Sequence, residues 1–316
     1  MTKIKAFFNS IKSFIKTPSL ARSITTIVIL IIYICLVYTP GSFSIVKTFY
    51  NGTYLNDSRG FNLNYDYGIT FFETGNSDCT LVKAFDKKIL IDTSDTEEID
   101  AVIRRLNSYE DSYLDAVILS HFDIDHSGGL LKLLDKVKVG KIYLPSEYDA
   151  TSYTVKTTFM ALSRYNVPYE TLSRGDILTL GDVKIDVLMP SENLKSSNNN
   201  SLVFMLHTGK IKTLFTGDME TKALNKLLEY PYNLKCNILK ASHHGSINGI
   251  NEAFAKSAKP DYTVILSGIN RYGLPSGETI DILTAVGSEI HRTDKEGEIH
   301  FAFNKNDTKI IINTTK

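Results

Sequence analysis

From Tyr65 to the C-terminus, short apolar runs bounded by Gly, Asn, Asp and Pro alternate with amphipathic stretches. The apolar runs predict strands at Ile69–Phe72, Thr80–Phe85, Ile89–Ile91, Ala116–Leu119, Lys141–Leu144, Val183–Leu188, Leu202–His207, Lys212–Phe215, Asn237–Lys240 and Tyr262–Leu266. The amphipathic stretches predict helices at Thr96–Leu106, Leu130–Leu134, Ser152–Arg164, Thr221–Leu228, Glu252–Ala258 and Glu278–Val286, with Asp95 and Ser276 as candidate caps. This alternation predicts an α/β domain and leaves the order of its layers open.

The N-terminal pattern is different. No charged residue falls between Arg22 and Lys47, and Ile24-Thr-Thr-Ile-Val-Ile-Leu-Ile-Ile-Tyr-Ile-Cys-Leu-Val-Tyr38 is apolar all round. A bilayer core needs about 20 such residues as a helix. Upstream, Lys3, Lys5, Lys12, Lys16 and Arg22 meet no acidic residue, and a basic flank of this kind stays in the cytoplasm. The expected organisation is a basic cytoplasmic tail (1–22), a transmembrane signal anchor (23–42), a turn-rich linker (43–64) and one extracytoplasmic domain (65–316). That makes a single-pass protein of the cell membrane. A cleaved signal peptide is the competing reading, disfavoured by the long leading tail and the lack of an Ala-x-Ala site.

Candidate chemistry is concentrated in Ser120-His-Phe-Asp-Ile-Asp-His-Ser-Gly-Gly129, directly after a predicted strand. His121 and Asp123 alternate in an extended segment and can face one ion, whereas Asp125 and His126 fall where the chain turns and can reach a neighbour. Two cations about 3.5–4 Å apart can share a hydroxide and hold both the attacking and the leaving oxygen of a displacement. Complementary ligand types follow two later strands, in Thr213-Leu-Phe-Thr-Gly-Asp218 and Asn237-Ile-Leu-Lys-Ala-Ser-His-His-Gly-Ser246. Four of the seven histidines lie in the first and last of these segments, a placement that chance explains poorly.

These blocks resemble the metallo-β-lactamase superfamily, and more closely the hydrolase domain of ComEC-type competence proteins. Phe72-Glu-Thr-Gly-Asn-Ser-Asp78 with Thr80-Leu-Val82, Asn198-Asn-Asn-Ser-Leu-Val203, and Asn270-Arg-Tyr-Gly273 followed by Arg292-Thr-Asp294 and Gly297 complete the match. The resemblance implies a four-layer αββα sandwich with two metals at one edge. It makes His121 and Asp123 ligands of one ion and Asp125 and His126 ligands of the other, with Asp218 bridging. One of His243 and His244 completes the second site, and the partner, or His244 itself, is left to contact a substrate phosphate. Asp78 is expected to order the site from behind the metal-bound histidines.

The chain departs from the family pattern twice. A further histidine expected before the bridging aspartate is absent. His207 reads as a surface residue, and Asn198 or Asn200 is expected to face the first ion in its place, within a mobile polar loop Lys195–Asn200. Leu274 stands where competence proteins carry a histidine, which leaves Arg271 as the candidate for a charge-assisted contact to phosphate.

Three aspartates with imidazoles and no thiolate suit Zn²⁺ or Mn²⁺. Cys79 and Cys236 read as small buried hydrophobes, and Cys35 lies in the apolar N-terminal run. The chain is neutral, so removing the five tail cations leaves 30 basic against 35 acidic residues. No basic run outside the tail marks a nucleic-acid track.

The expected function is a membrane-anchored dinuclear hydrolase, a phosphodiesterase or nuclease acting on DNA or RNA through a metal-bridged hydroxide. Asp125, Asp218 and Arg271 are its catalytic candidates. A phosphorylcholine-esterase-like hydrolase of cell-surface polymers and a non-catalytic module holding DNA or wall polymer are the alternatives. With one spanning segment, DNA uptake would need a separate membrane permease as partner.

Overall fold

The computed structural model of the chain describes residues 65–107 and 113–316. The basic tail, the expected anchor with Cys35 and the whole of the linker lie outside the described residues. Among the described residues no helix is long and apolar enough to cross a membrane.

The first sheet contains β1 (Tyr67–Phe71), β2 (Thr80–Ala84), β3 (Lys87–Ile91), β4 (Tyr113–Ile118), β5 (Lys138–Pro145) and β6 (Tyr169–Leu172). Their order is continuous, and β14 (Ile299–Phe303) and β15 (Ile311–Thr314) extend the β1 side. The second sheet runs β13 (Glu289–Arg292), β12 (Tyr262–Ile265), β11 (Ile238–Lys240), β10 (Ile211–Phe215), β9 (Val203–Thr208), β8 (Val183–Met189), β7 (Ile177–Leu180). Strands β3 to β6 are parallel, as are β10 to β13, and the remaining pairs are antiparallel.

Period-two alternation sorts each strand between two cores. In β4, Ala116 and Ile118 face the opposite sheet, and Val117 points outward. The inter-sheet core is aromatic at its centre, where Phe71 and Phe204 flank Phe215 with ring centroids 6.2 and 5.1 Å away. On the outer face of the first sheet pack α1 (Ile99–Asn107), α3 (Leu130–Lys136) and α4 (Tyr153–Tyr165). The short α2 (Ile124–Ser127) precedes α3. On the outer face of the second sheet pack α5 (Thr221–Glu229), α6 (Glu252–Ala258) and α7 (Gly277–Ala285), and a short α8 (Thr293–Glu296) follows β13. Helix, sheet, sheet, helix is the layer order that strand and helix alternation left open.

The ten strands and six helices read from the sequence all form, with ends shifted by a few residues. The expected cap Ser276 accepts from Thr279 N at 3.1 Å. Asp95 accepts from Glu97 N and Glu98 N, both at 2.8 Å, in the turn leading into α1. Five strands escaped the pattern: β6, β7, β13, β14 and β15. The edge strands β6 and β7 bury little, so their alternation is faint. Strand β14 is buried on both faces, and a short unbroken run does not separate strand from helix.

Candidate metal centre

The carboxyl ends of β1, β3, β4, β10, β11 and β12 carry the loops that build the site. After β4 the chain bends at Ser120, and Asp123 has φ −66° and ψ 153° before α2 begins. His126 thereby turns inward and is fully buried, while Asp125 remains partly exposed. The Thr216-Gly-Asp218 turn after β10 needs a left-handed Gly217 (φ +51°), whose missing side chain also leaves room for Ser201. Ser201 Oγ accepts from Asp218 N at 3.1 Å and so fixes the turn. After β11, His243 and His244 are both left-handed, with φ of 46° and 52°.

These loops bring Asp125, His126, Asp218 and His244 together, with one ligand atom from each lying within 4.8 Å of the others. His126 Nε2 lies 3.3 Å from Asp218 Oδ1 and 3.7 Å from Asp125 Oδ2. His244 Nε2 lies 3.3 Å from Asp125 Oδ2. Beside them, the His121 ring centroid is 4.1 Å from that of His126, and His121 Nε2 stands 3.7 Å from Asp123 Oδ2. His243 sits at the rim, 28% exposed, with Nε2 3.9 Å from Asp218 Oδ2 and Nδ1 3.4 Å from Glu220 Oε1.

Hydrogen bonds fix which nitrogen of each buried imidazole is free. His126 Nδ1 lies 2.9 Å from Asp92 Oδ2, and an ionised carboxylate only accepts, so Nδ1 carries the proton. His244 Nδ1 donates in the same way to the Leu266 carbonyl at 2.9 Å. Ser120 Oγ donates to Asp92 Oδ2 at 2.8 Å, so it accepts from His121 Nδ1 at 3.1 Å. Nε2 is thereby the nitrogen each ring turns to the site, His126 towards Asp218 and Asp125, His244 towards Asp125, and His121 beside Asp123. His121 Nε2, His126 Nε2 and Asp218 Oδ1 are buried there without a hydrogen-bond partner, a costly condition in an interior. This donor set fits divalent cations.

Charge tells the same story. Burial raises the Asp125 carboxyl, but the His244 hydrogen bond and the His126 charge bring it down to about 2. Burial also opposes ionisation of Asp218, and His126 and Lys240 outweigh it, holding that carboxyl well below the usual range. Burial disfavours a charged His126, yet Asp218, Asp78 and Asp92 raise it well above the ordinary histidine value. Burial and the nearby His126 push His121 down. Carboxylates this strongly ionised demand positive charge, which protons on His126 and His244 or bound cations can supply.

The structure places other sequence-derived candidates differently. Asp78 lies 3.8 Å from His126 Nδ1, so the orienting hydrogen bond comes from Asp92, which sequence reasoning missed. The available signal was Asp92 itself, a carboxylate at the end of β3. Lys240, read only as part of a strand, is buried and pairs with Asp78.

Hydrogen bonds tie the polar loop to its surroundings. Asn200 Oδ1 accepts from Leu194 N at 2.8 Å, and its amide donates to Asn193. Asn199 Oδ1 accepts from Ala223 N at 3.0 Å, at the start of α5. Asn200 still lines a cavity of about 520 Å³ that opens beside His121 and Asp123, with Phe122, Glu147, Tyr148 and Lys195 in its walls. Asn198 begins the 3₁₀ turn next to it.

His207 is partly exposed and away from the site, with Nε2 2.8 Å from Asp186 Oδ2 on β8. Arg271 lies over the Tyr272 ring and donates to its hydroxyl, joining neither group of side chains at the site. Cys79 and Cys236 are buried as expected, and burial pushes the Cys236 thiol up to about 12.

An αββα sandwich that gathers imidazoles and carboxylates at one edge is the architecture of a metallohydrolase. The sequence profile of the metallo-β-lactamase superfamily matches residues 73–268, and the chain belongs to that superfamily. It is 32% identical over 192 residues to ComE operon protein 3 of Bacillus subtilis (strain 168), covering 60% of this chain and 25% of that protein. It is 27% identical over 247 residues to competence protein ComA of Neisseria gonorrhoeae, covering 76% and 33% respectively. Both are ComEC-type competence proteins, and this chain spans a quarter to a third of their length. The solved metallo-β-lactamase fold protein YhfI from Bacillus subtilis superposes with a TM-score of 0.51 at 15% identity. That match covers 74% of this chain and 100% of that one, and bears on the fold alone.

Proposed function

We propose that the chain is a membrane-anchored hydrolase of phosphodiesters, with nucleic acid as the first substrate class, working with two divalent cations, Zn²⁺ or Mn²⁺. The observation that carries this reading is the gathering of Asp125, His126, Asp218 and His244 within 4.8 Å of one another, with His126 Nε2 and Asp218 Oδ1 buried and unbonded 3.3 Å apart and the His121 ring beside them. His121 and Asp123 would hold one cation, Asp125, His126 and His244 the other, and Asp218 both. Bound there, the cations would acidify a water and polarise a phosphoryl oxygen.

The chain's own residues prepare that chemistry. Asp92 and the Leu266 carbonyl keep His126 and His244 in the Nδ1-protonated form, and the Ser201 bond to the Asp218 backbone sets the direction of its carboxylate. His243, half-exposed between Asp218 and Glu220, stands at the rim, where its imidazole can pass a proton to a departing oxygen. This gives the proton-donor role to His243 in preference to Arg271. The charge-free segment after Arg22 supports anchoring, and the competence relatives support nucleic acid as the substrate class.

One observation favours a second reading, a phosphodiester with a cationic headgroup such as phosphorylcholine. The cavity beside His121 sets Phe122 and Tyr148 next to Glu147, a wall that suits an ammonium group.

The test is elemental analysis of the purified full-length chain, together with turnover of bis-p-nitrophenyl phosphate, single-stranded DNA, RNA and a choline phosphodiester. We expect two cations per chain and phosphodiester cleavage, both lost in Asp218→Ala. A folded chain that stays empty after reconstitution sinks the reading, and full occupancy without turnover on any substrate would favour a binding module.

A further inference from the structure

Lys240 occupies a place where the fold otherwise puts hydrocarbon. It ends β11 on the face that Ile238 turns to the inter-sheet core, and its register partners Phe215 and Val264 both belong to that core. Its side chain is 3% exposed and pairs with the equally buried Asp78. The ammonium donates to the Gly217 carbonyl at 3.1 Å and lies 3.6 Å from Asp218 Oδ1. A buried carboxylate and a carbonyl oxygen thus face the ammonium at close range, an arrangement that favours its charged form.

Five carboxylates lie against the three inward imidazoles, Asp78, Asp92, Asp123, Asp125 and Asp218, while Glu220 meets only His243 at the rim. Two divalent cations supply four positive charges, and Lys240 supplies the fifth. Without it the loaded site would keep an uncompensated negative charge in an interior where charge is costly.

Resting on the dinuclear reading above, we propose that Lys240 is a positioning residue that serves as a third, built-in cation of the site. It engages Asp78 so that this carboxylate does not compete as a ligand. It also steadies Asp218, and its positive charge moderates how tightly the exchangeable cations are held.

A charge-compensation cycle tests this without reference to turnover. Zn²⁺ and Mn²⁺ affinities of the full-length chain are measured by competition with a fluorescent chelator for wild type, Lys240→Met, Asp78→Asn and the double variant. Methionine keeps most of the stem's volume and removes the charge. Lys240→Met should tighten cation binding by roughly tenfold or more, because a positive charge near the ions is gone. Asp78→Asn should weaken it by a similar factor, and the double variant should return to within about threefold of wild type, since the net charge is restored.

A merely structural role predicts weakening in every variant. Uniform weakening or unchanged affinities in variants with native circular dichroism overturn the proposal. If Lys240→Met does not fold, the double variant decides, because removing both members of a buried pair is far better tolerated than removing one. Loss of binding there overturns the proposal as well. A wild-type chain that binds no cation overturns the dinuclear reading and this proposal together, whereas a cation-binding wild type with a flat cycle overturns this proposal alone.

Discussion

His243 and His244 are adjacent in sequence and opposite in setting. Their successive left-handed backbones cost on the order of 1 kcal/mol each, and the turn they make sends one imidazole inward and the other to the rim. His244 reaches Asp125 and is locked by the Leu266 carbonyl, while His243 stays beside Glu220. We therefore expect His244→Ala to lose about one of two bound cations and His243→Ala to keep both, as measured by elemental analysis after gel filtration. Equal losses in the two variants would refute the assignment. The sequence marked the pair as candidate ligands and left the choice open, because a dipeptide does not reveal which side chain its backbone turn will bury.

At the scale of elements, the site depends on how the loop after β3 meets the loop after β4. Thr93 N donates to the His126 carbonyl at 2.7 Å and Gly129 N to the Ser94 carbonyl at 2.9 Å, which sets Asp92 under the His126 ring. Gly129 permits this approach: a Cβ there would lie 2.1 Å from Thr93 O and 2.6 Å from Ile99 Cβ. Gly129→Ala should destabilise the domain by about 1–3 kcal/mol and weaken cation binding. Thermal unfolding with and without cations checks both, and an unchanged melting temperature would contradict the packing argument. Elements with a full amphipathic period, such as α4 and α5, were legible from sequence. The edge strands β6 and β7 were not, since four half-exposed residues carry too little alternation.

For the whole molecule, His300 ties β14 to β1 through Thr70, with Nδ1 2.9 Å from Oγ1, at the buried side of the first sheet. Burial, then Arg105 and Lys83, lower it from 6.5 to about 4. The unfolded chain takes up this proton near the ordinary histidine value and the folded chain resists it. The stabilisation is thus complete above 6.5 and is lost as the pH falls through about 4. The amount is about 3 kcal/mol. In urea unfolding of the cation-free chain, His300→Gln should shrink the stability difference between neutral and acid pH by roughly that amount, because the site histidines contribute equally to both forms. An identical pH dependence in variant and wild type would rule this out.

Residue chemistry and short-range pattern determined much of this protein. Which side chains could serve as ligands, the strands that carry them and the superfamily block order were all readable along the chain, because each depends on covalent identity or on a few neighbouring residues. Tertiary structure decided the partners. Asp92 fixes His126, Lys240 takes Asp78, His244 rather than His243 joins Asp125 from 119 residues away, and the asparagine loop is bonded to its own surroundings. Such choices follow from which loop ends the two sheets bring within hydrogen-bond reach, and distance in space is a quantity that spacing along a chain does not contain.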